Sequence, residues 1–259
     1  FQAIPNLKSL SLKKTSIFLL KQIDLNKISE LDLSENSLNM EIFNKIPFNS
    51  ATKLKLNNLK INQSIDFLNR VFNFGLIELD LSENILNFDS FFYIILSTNL
   101  AYLNLAHTNL TNLIFHTKVQ LKYLPNLLIL NLSFNQIEFI NEENLMHQIK
   151  LINLDLSYNS ISFIESKSFN SNLKLQVLNV SFNKMKIISE DFYGILEDIK
   201  SLFKIILNNN NISNFNLSIH VSSEGEINLE DNNLVEYPAA LIYNTIYCPR
   251  LNLKRNKIK

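Results

Sequence analysis

The sequence is poor in the residues that mark most functional classes. Only three glycines occur in 259 residues, Gly75, Gly194 and Gly225, too far apart to build a glycine-rich loop around a phosphate. One cysteine and four histidines exclude a disulfide scaffold and a Cys/His zinc site. Neither sign of charge is in excess: 24 Lys and Arg face 24 Asp and Glu. That balance argues against a nucleic-acid backbone or an anionic membrane surface as partner, because both require a clustered basic excess. His107, His116, His147 and His220 show no HExxH spacing, and no GxSxG occurs. The chain therefore offers no catalytic, metal-ligating or cofactor-binding constellation, and a non-enzyme is expected. It does hold 46% hydrophobic residues, ample for a core, and 40 asparagines, about 15% of its length. The asparagine excess demands a reason.

The reason is an internal repeat. Residues 151–161, LINLDLSYNSI, read LxxLxLxxNxL, and the frame recurs at 76–86, 127–137, 175–185 and 202–212. Weaker copies begin at Leu7, Ile28, Ala51, Leu100, Glu224 and Cys248, giving eleven starts with a mean period of about 24 residues. Within LxxLxL the fourth and sixth positions share one face of a strand, since side chains alternate. Each strand is too short to bury its apolar face alone and must stack in parallel on its neighbours. One array is expected over 1–259.

The ninth position is asparagine in eight copies: Asn36, Asn84, Asn135, Asn159, Asn183, Asn210, Asn232 and Asn256. An amide side chain both donates and accepts, so a column of them can satisfy the backbone leaving each strand and bridge one repeat to the next, reducing the need for glycine turns. Thr15 and Thr108 partly substitute. Leu59 cannot, which predicts a local irregularity in the third repeat. Cys248 takes a core leucine position and reads as a packing thiol.

These motifs resemble the leucine-rich-repeat family over the whole chain. The LDLSxN wording at 31–36, 79–84 and 154–159, with Ile164 and Phe169 placed as in repeats of about 24 residues, is similar to extracellular members of the Toll and chaoptin kind. The resemblance implies an α/β repeat solenoid: a right-handed horseshoe with a concave parallel β-sheet and irregular convex connections containing short helical turns. It also implies a segment of a larger protein, since the cysteine-rich caps usual in extracellular members are missing. The implied function is non-catalytic protein recognition by the concave or lateral surface of a receptor or adhesion ectodomain, outside the cell or at its surface, an arrangement that allows a membrane anchor elsewhere in the parent protein. The alternatives are a cytoplasmic scaffold docking a partner enzyme and the recognition arm of a larger enzyme.

No membrane insertion is expected within the segment. Residues 90–117 carry no charge, but Asn99, Asn104, Asn109 and Asn112 would need solvation in hydrocarbon, and Leu100, Leu103, Leu105 and Leu110 fall in the repeat frame. Asn-x-Ser/Thr triplets at Asn62, Asn109, Asn131, Asn179, Asn211 and Asn216 are glycosylation candidates, although so asparagine-rich a chain produces such triplets by chance.

A binding surface is expected from the second, third, fifth, seventh and eighth positions of each repeat, which the strand alternation turns outward. Phe134, Tyr158 and Phe182 take the eighth position of three consecutive repeats, about 5 Å apart per strand. Leu128, Ile129, Ile152, Val177 and Phe203 lie beside them. An apolar, aromatic surface of this kind marks a partner site, while stacking along the ladder is the competing structural role. Elsewhere Glu30, Asp32, Glu35, Glu78, Asp80 and Glu83 alternate with Lys8, Lys13, Lys14, Lys53 and Lys55, rows expected to neutralise each other across strands. Arg250, Lys254, Arg255, Lys257 and Lys259 form a basic tip. The acid pairs Glu142-Glu143 and Glu190-Asp191 belong to the connections, as solvated faces or first helical turns.

Overall fold

The computed structural model describes residues 6–15, 25–37, 46, 48–60, 75–86, 99–111, 124–165, 167–188, 196, 199–215, 221–222, 224–238 and 250–259. Cys248, Asn62, Asn216, His116, His220 and the pair Glu190-Asp191 lie outside them.

Among the described residues, eleven strands of three residues each form one parallel sheet. They are β1 (Ser9–Ser11), β2 (Glu30–Asp32), β3 (Lys53–Lys55), β4 (Glu78–Asp80), β5 (Tyr102–Asn104), β6 (Ile129–Asn131), β8 (Asn153–Asp155), β10 (Val177–Asn179), β12 (Lys204–Ile206), β14 (Glu226–Asn228) and β15 (Arg250–Asn252). Each pairs in register with the equivalent strand of the next repeat, so Leu130 faces Leu154 and Leu154 faces Leu178. The third, fourth and fifth positions make the strand in every repeat, and the frame read from sequence is the frame of the sheet.

Inward side chains form one continuous core. Leu76, Leu79, Leu81, Leu151, Leu154, Leu156 and Ile161 are all buried, with Phe48 and Phe169 filling the far side of the coil. Leu100, Leu103, Leu105 and Leu110 take the same core positions, as the repeat frame requires of the uncharged stretch. Among the described residues no helix is long and apolar enough to cross a membrane. On the outer side, two-residue strands pair between neighbouring repeats, β7 (Phe139–Ile140) with β9 (Phe163–Ile164) and β11 (Ile187–Ile188) with β13 (Asn214–Phe215). The helical turn Glu142–Leu145 is capped by Asn141 and opens on the acid pair, which the dipole at a helix start favours.

The asparagine column works as expected and in more detail. Asn183 Nδ2 donates to its own repeat at Val180 O (3.1 Å) and Ser181 O (3.1 Å), and to the preceding repeat at Leu156 O (3.0 Å). Its Oδ1 accepts from the N–H of Ile161 (2.8 Å). The same pattern recurs at Asn84, Asn159, Asn210 and Asn232. Thr108 covers one of these roles, its hydroxyl donating to Leu105 O (2.7 Å).

The irregularity expected at Leu59 is small. Its side chain joins the core, its N–H is taken by Asn84 Oδ1 (3.0 Å), and β3 pairs with both neighbours. What changes is the next residue: Lys60 has φ 54°.

Glycine scarcity has a structural counterpart at the eighth position. All eleven residues there, none of them glycine, have φ between 51° and 58°. This left-handed backbone costs an ordinary L-residue about 1–2 kcal/mol. It is held by cross-repeat hydrogen bonds: the N–H of Phe134 donates to Ser157 O (2.9 Å), Tyr158 to Ser181 O (3.0 Å), and Phe182 to Asn208 O (3.0 Å).

Candidate functional site

The outward surface is narrower than alternation alone implies. Strands end at the fifth position, so the seventh does not continue the pleat. Ser34, Ser82, Ser133, Ser157 and Ser181 are buried there, which corrects the expectation that the seventh position faces a partner. The fifth position ties it down. Asp155 Oδ1 accepts from the Ser157 N–H (2.9 Å) and hydroxyl (2.6 Å), and Asn179 Oδ1 accepts from the Ser181 N–H (3.1 Å) and hydroxyl (2.7 Å). Asp32, Asp80, Asn104, Asn131, Asn228 and Asn252 receive the N–H of the seventh residue in the same way. The open face thus comes from the second, third and eighth positions, with the fifth half-buried between them.

Phe134, Tyr158 and Phe182 form a stack, and His107, not anticipated as a ring of this column, heads it. Ring centroids are 4.5 Å apart for His107–Phe134 and 4.1 Å for both Phe134–Tyr158 and Tyr158–Phe182, with interplanar angles of 12°, 7° and 8°. Phe134 and Tyr158 have both faces covered by neighbours and present their edges outward. The structural role is therefore real, yet the rings stay exposed. Phe134, Tyr158, Phe182, Leu128 and Phe203 range from 37% to 42% exposure. Ile129, Ile152 and Val177 are half-buried. His107 was legible in principle, since it occupies the eighth position of the fifth repeat.

The strands before this region carry charge instead. Lys53 Nζ lies 3.0 Å from Glu78 and 3.8 Å from Glu30, and Lys13 Nζ lies 2.8 Å from Glu35. Lys13 holds the Glu35 carboxyl below the usual carboxylate range and is itself raised by that hydrogen bond. Glu30, Glu35 and Glu78 are thus paired with lysines of neighbouring rows, which is the expected neutralisation for these three carboxylates. A shallow trough of about 510 Å³ runs over β1–β4, lined by Glu30, Asp32, Lys53, Lys55, Glu78 and Asp80 and closed by Tyr102. Burial raises the Tyr102 phenol, with Asp80 and Glu78 adding to the effect. At the basic tip, Arg255 is engaged by Asp231 (2.5 and 2.7 Å) and Glu230 (3.0 Å). Among the described residues no group of three or more His, Cys, Asp or Glu could hold a metal ion.

Of the glycosylation candidates described, Asn109 and Asn211 are exposed, Asn109 with its Oδ1 on Gln136 Nε2 (2.5 Å). Asn131 and Asn179 are half-buried on the sheet face.

A parallel sheet of stacked coils, an inward leucine at fixed places and an asparagine ladder define a leucine-rich-repeat solenoid. The family model for leucine rich repeats matches residues 149–212. The same frame recurs in all eleven strands, so the chain folds as a leucine-rich-repeat solenoid well beyond the matched stretch. Solved structures agree in fold. A leucine-rich-repeat protein of Leptospira interrogans shares 22% identity at a TM-score of 0.66, over 98% of this chain and 65% of that one. An internalin of Listeria monocytogenes shares 19% identity at 0.59, over 91% of this chain and 76% of that one. A chain of the Drosophila Toll–Spatzle complex shares 17% at 0.66, over 90% of this chain and 30% of that one. This chain thus spans under two thirds of the first of these and under a third of the last. No curated protein sequence matches it significantly.

Proposed function

We propose that this chain is a non-catalytic protein-recognition module whose partner docks on the concave face of its central repeats. The observation that carries the reading is a contrast within one sheet. Charged rows over β1–β4 pair with each other, whereas over β5–β12 the outward positions leave Leu128, Phe134, Tyr158, Phe182 and Phe203 exposed, with Ile152 and Val177 half-buried between them. A contiguous exposed apolar surface has a free-energy incentive to be covered, and aromatic residues are enriched where interfaces concentrate their energy.

The compartment we infer is extracellular, in a receptor or adhesion ectodomain, on the strength of the LDLSxN wording and the repeat length. In that setting Asn109 and Asn211 carry glycans, and Asn131 and Asn179 stay bare, leaving the patch open. Surface biotinylation of intact cells expressing the full-length protein tests the compartment: labelling supports it, and labelling only after lysis overturns it.

The docking face is tested by selecting phage-displayed peptides on the chain and re-measuring the recovered clones on folded variants. Binding should be lost on Phe134→Ser/Tyr158→Ser/Phe182→Ser and on Leu128→Glu/Phe203→Glu, which leaves the ring stack intact. It should persist on Glu30→Gln/Lys53→Gln/Glu78→Gln. Clones that ignore both central variants overturn the reading.

A further inference from the structure

Asp155 stands out against its own repeats. At the fifth position the side chain's structural task is to offer one oxygen to the N–H of the seventh residue, and asparagine does this at Asn104, Asn131, Asn179, Asn228 and Asn252 (3.0–3.2 Å). A formal charge is not needed for that bond. Where aspartate appears in the N-terminal strands, at Asp32 and Asp80, the strand between them brings Lys55 into register with both. Asp155 has Asn131 and Asn179 as its register partners instead. Across the second, third, fifth and eighth positions of β5, β6, β8 and β10, it is the one Asp, Glu, Lys or Arg side chain. Its Oδ1 is committed to Ser157. The Asp155 side chain is half-buried, between the rows that carry Ile129 and Val177.

A partner that covered this surface would strip water from that carboxylate. An unpaired buried carboxylate is costly, and the cost is offset only by a cation or donors brought in by the partner. We propose that Asp155 is the specificity-determining residue of the docking face, and that the partner is a polypeptide segment bearing an arginine or lysine side chain flanked by apolar residues. This rests on the central concave face being the docking surface.

The test uses four fluorescein-labelled peptides of one Leu/Phe/Ala sequence with a central Arg, Lys, Gln or Glu, measured by fluorescence polarisation. The unsubstituted chain should bind the Arg and Lys peptides roughly ten-fold more tightly than the Gln peptide, and the Glu peptide least. A stronger Arg than Lys response points to a planar, two-pronged contact, and equal responses to a point charge. Asp155→Asn keeps the bond to Ser157 and should leave the melting temperature unchanged while erasing the preference. Equal binding of all four peptides, still lost on Leu128→Glu/Phe203→Glu, overturns the role of Asp155 and leaves the docking face standing. Binding that ignores the Leu128→Glu/Phe203→Glu variant overturns both. A melting temperature lowered by Asp155→Asn shows the charge to serve the fold and also overturns the inference.

Discussion

Strands β2–β4 and strands β6–β10 are built on the same inward frame. Leu79 and Leu81 in one group and Leu154 and Leu156 in the other are equally buried, and Asn84 and Asn159 make the same set of bonds. Their outward residues behave differently. The first group sets Glu30, Lys53 and Glu78 there as ion pairs, with one exposed aliphatic side chain, Ile77, beside them. The second spends its outward positions on aliphatic side chains and a ring stack whose edges and flanks remain in water. The lesson is that a repeat fixes the fold through a few columns and leaves the remaining ones free, so function must be read from how adjacent rows differ.

If the two groups share one frame, an inward charge should be equally damaging in either. Leu81→Asp and Leu156→Asp should each cost several kcal/mol, since both sites lack any partner for a carboxylate. Chemical denaturation checks this, and a large difference between the two would mean that the frames are not equivalent. Asn84→Ala and Asn159→Ala come next, at about 2–4 kcal/mol each, because carbonyls in two repeats lose their donor together. Equal losses in the two groups are again expected.

The outward positions should split the groups. Tyr158→Ala removes two stacked ring contacts, each worth about 0.5–1.5 kcal/mol, and should lower stability by about 1–2 kcal/mol. Lys53→Ala removes exposed ion pairs and should cost less than about 1 kcal/mol, falling towards zero in high salt. The smallest effect is one of pH. Glu35 is held below its ordinary value by Lys13, so the stabilisation from this pair is complete above the unfolded carboxylate value and is lost as pH falls through the lower, folded one. Titration of stability with and without Lys13→Ala should show a small difference at neutral pH that vanishes in acid.

Much of this was legible in the residues. The eleven starts, the core columns and the asparagine bridge follow from spacing and from the chemistry of an amide. Burial of the seventh position did not follow, because two-fold alternation holds only while the chain is a strand. Here it is a strand for three residues, after which the chain turns left-handed at the eighth. Spacing alone leaves ring stacking and binding as alternatives for the aromatic column. The geometry shows that a ring can have its faces covered by the ladder and still offer its edge. Asp155 was hidden by its own wording: LDLS at 154–157 reads like LDLS at 31–34 and 79–82, and only the register partners reveal that lysine neighbours two of these aspartates and not the third.

Recognition by the apolar middle of the sheet, and not by its charged beginning, is the property on which the proposed function turns. Cross-linking with a benzophenone-bearing copy of the arginine peptide, followed by mass spectrometric mapping, measures this directly. The account predicts adducts within 128–134, 152–158 and 177–182. Adducts concentrated at 30–32, 53–55 and 78–80, or on the outer connections, would contradict it.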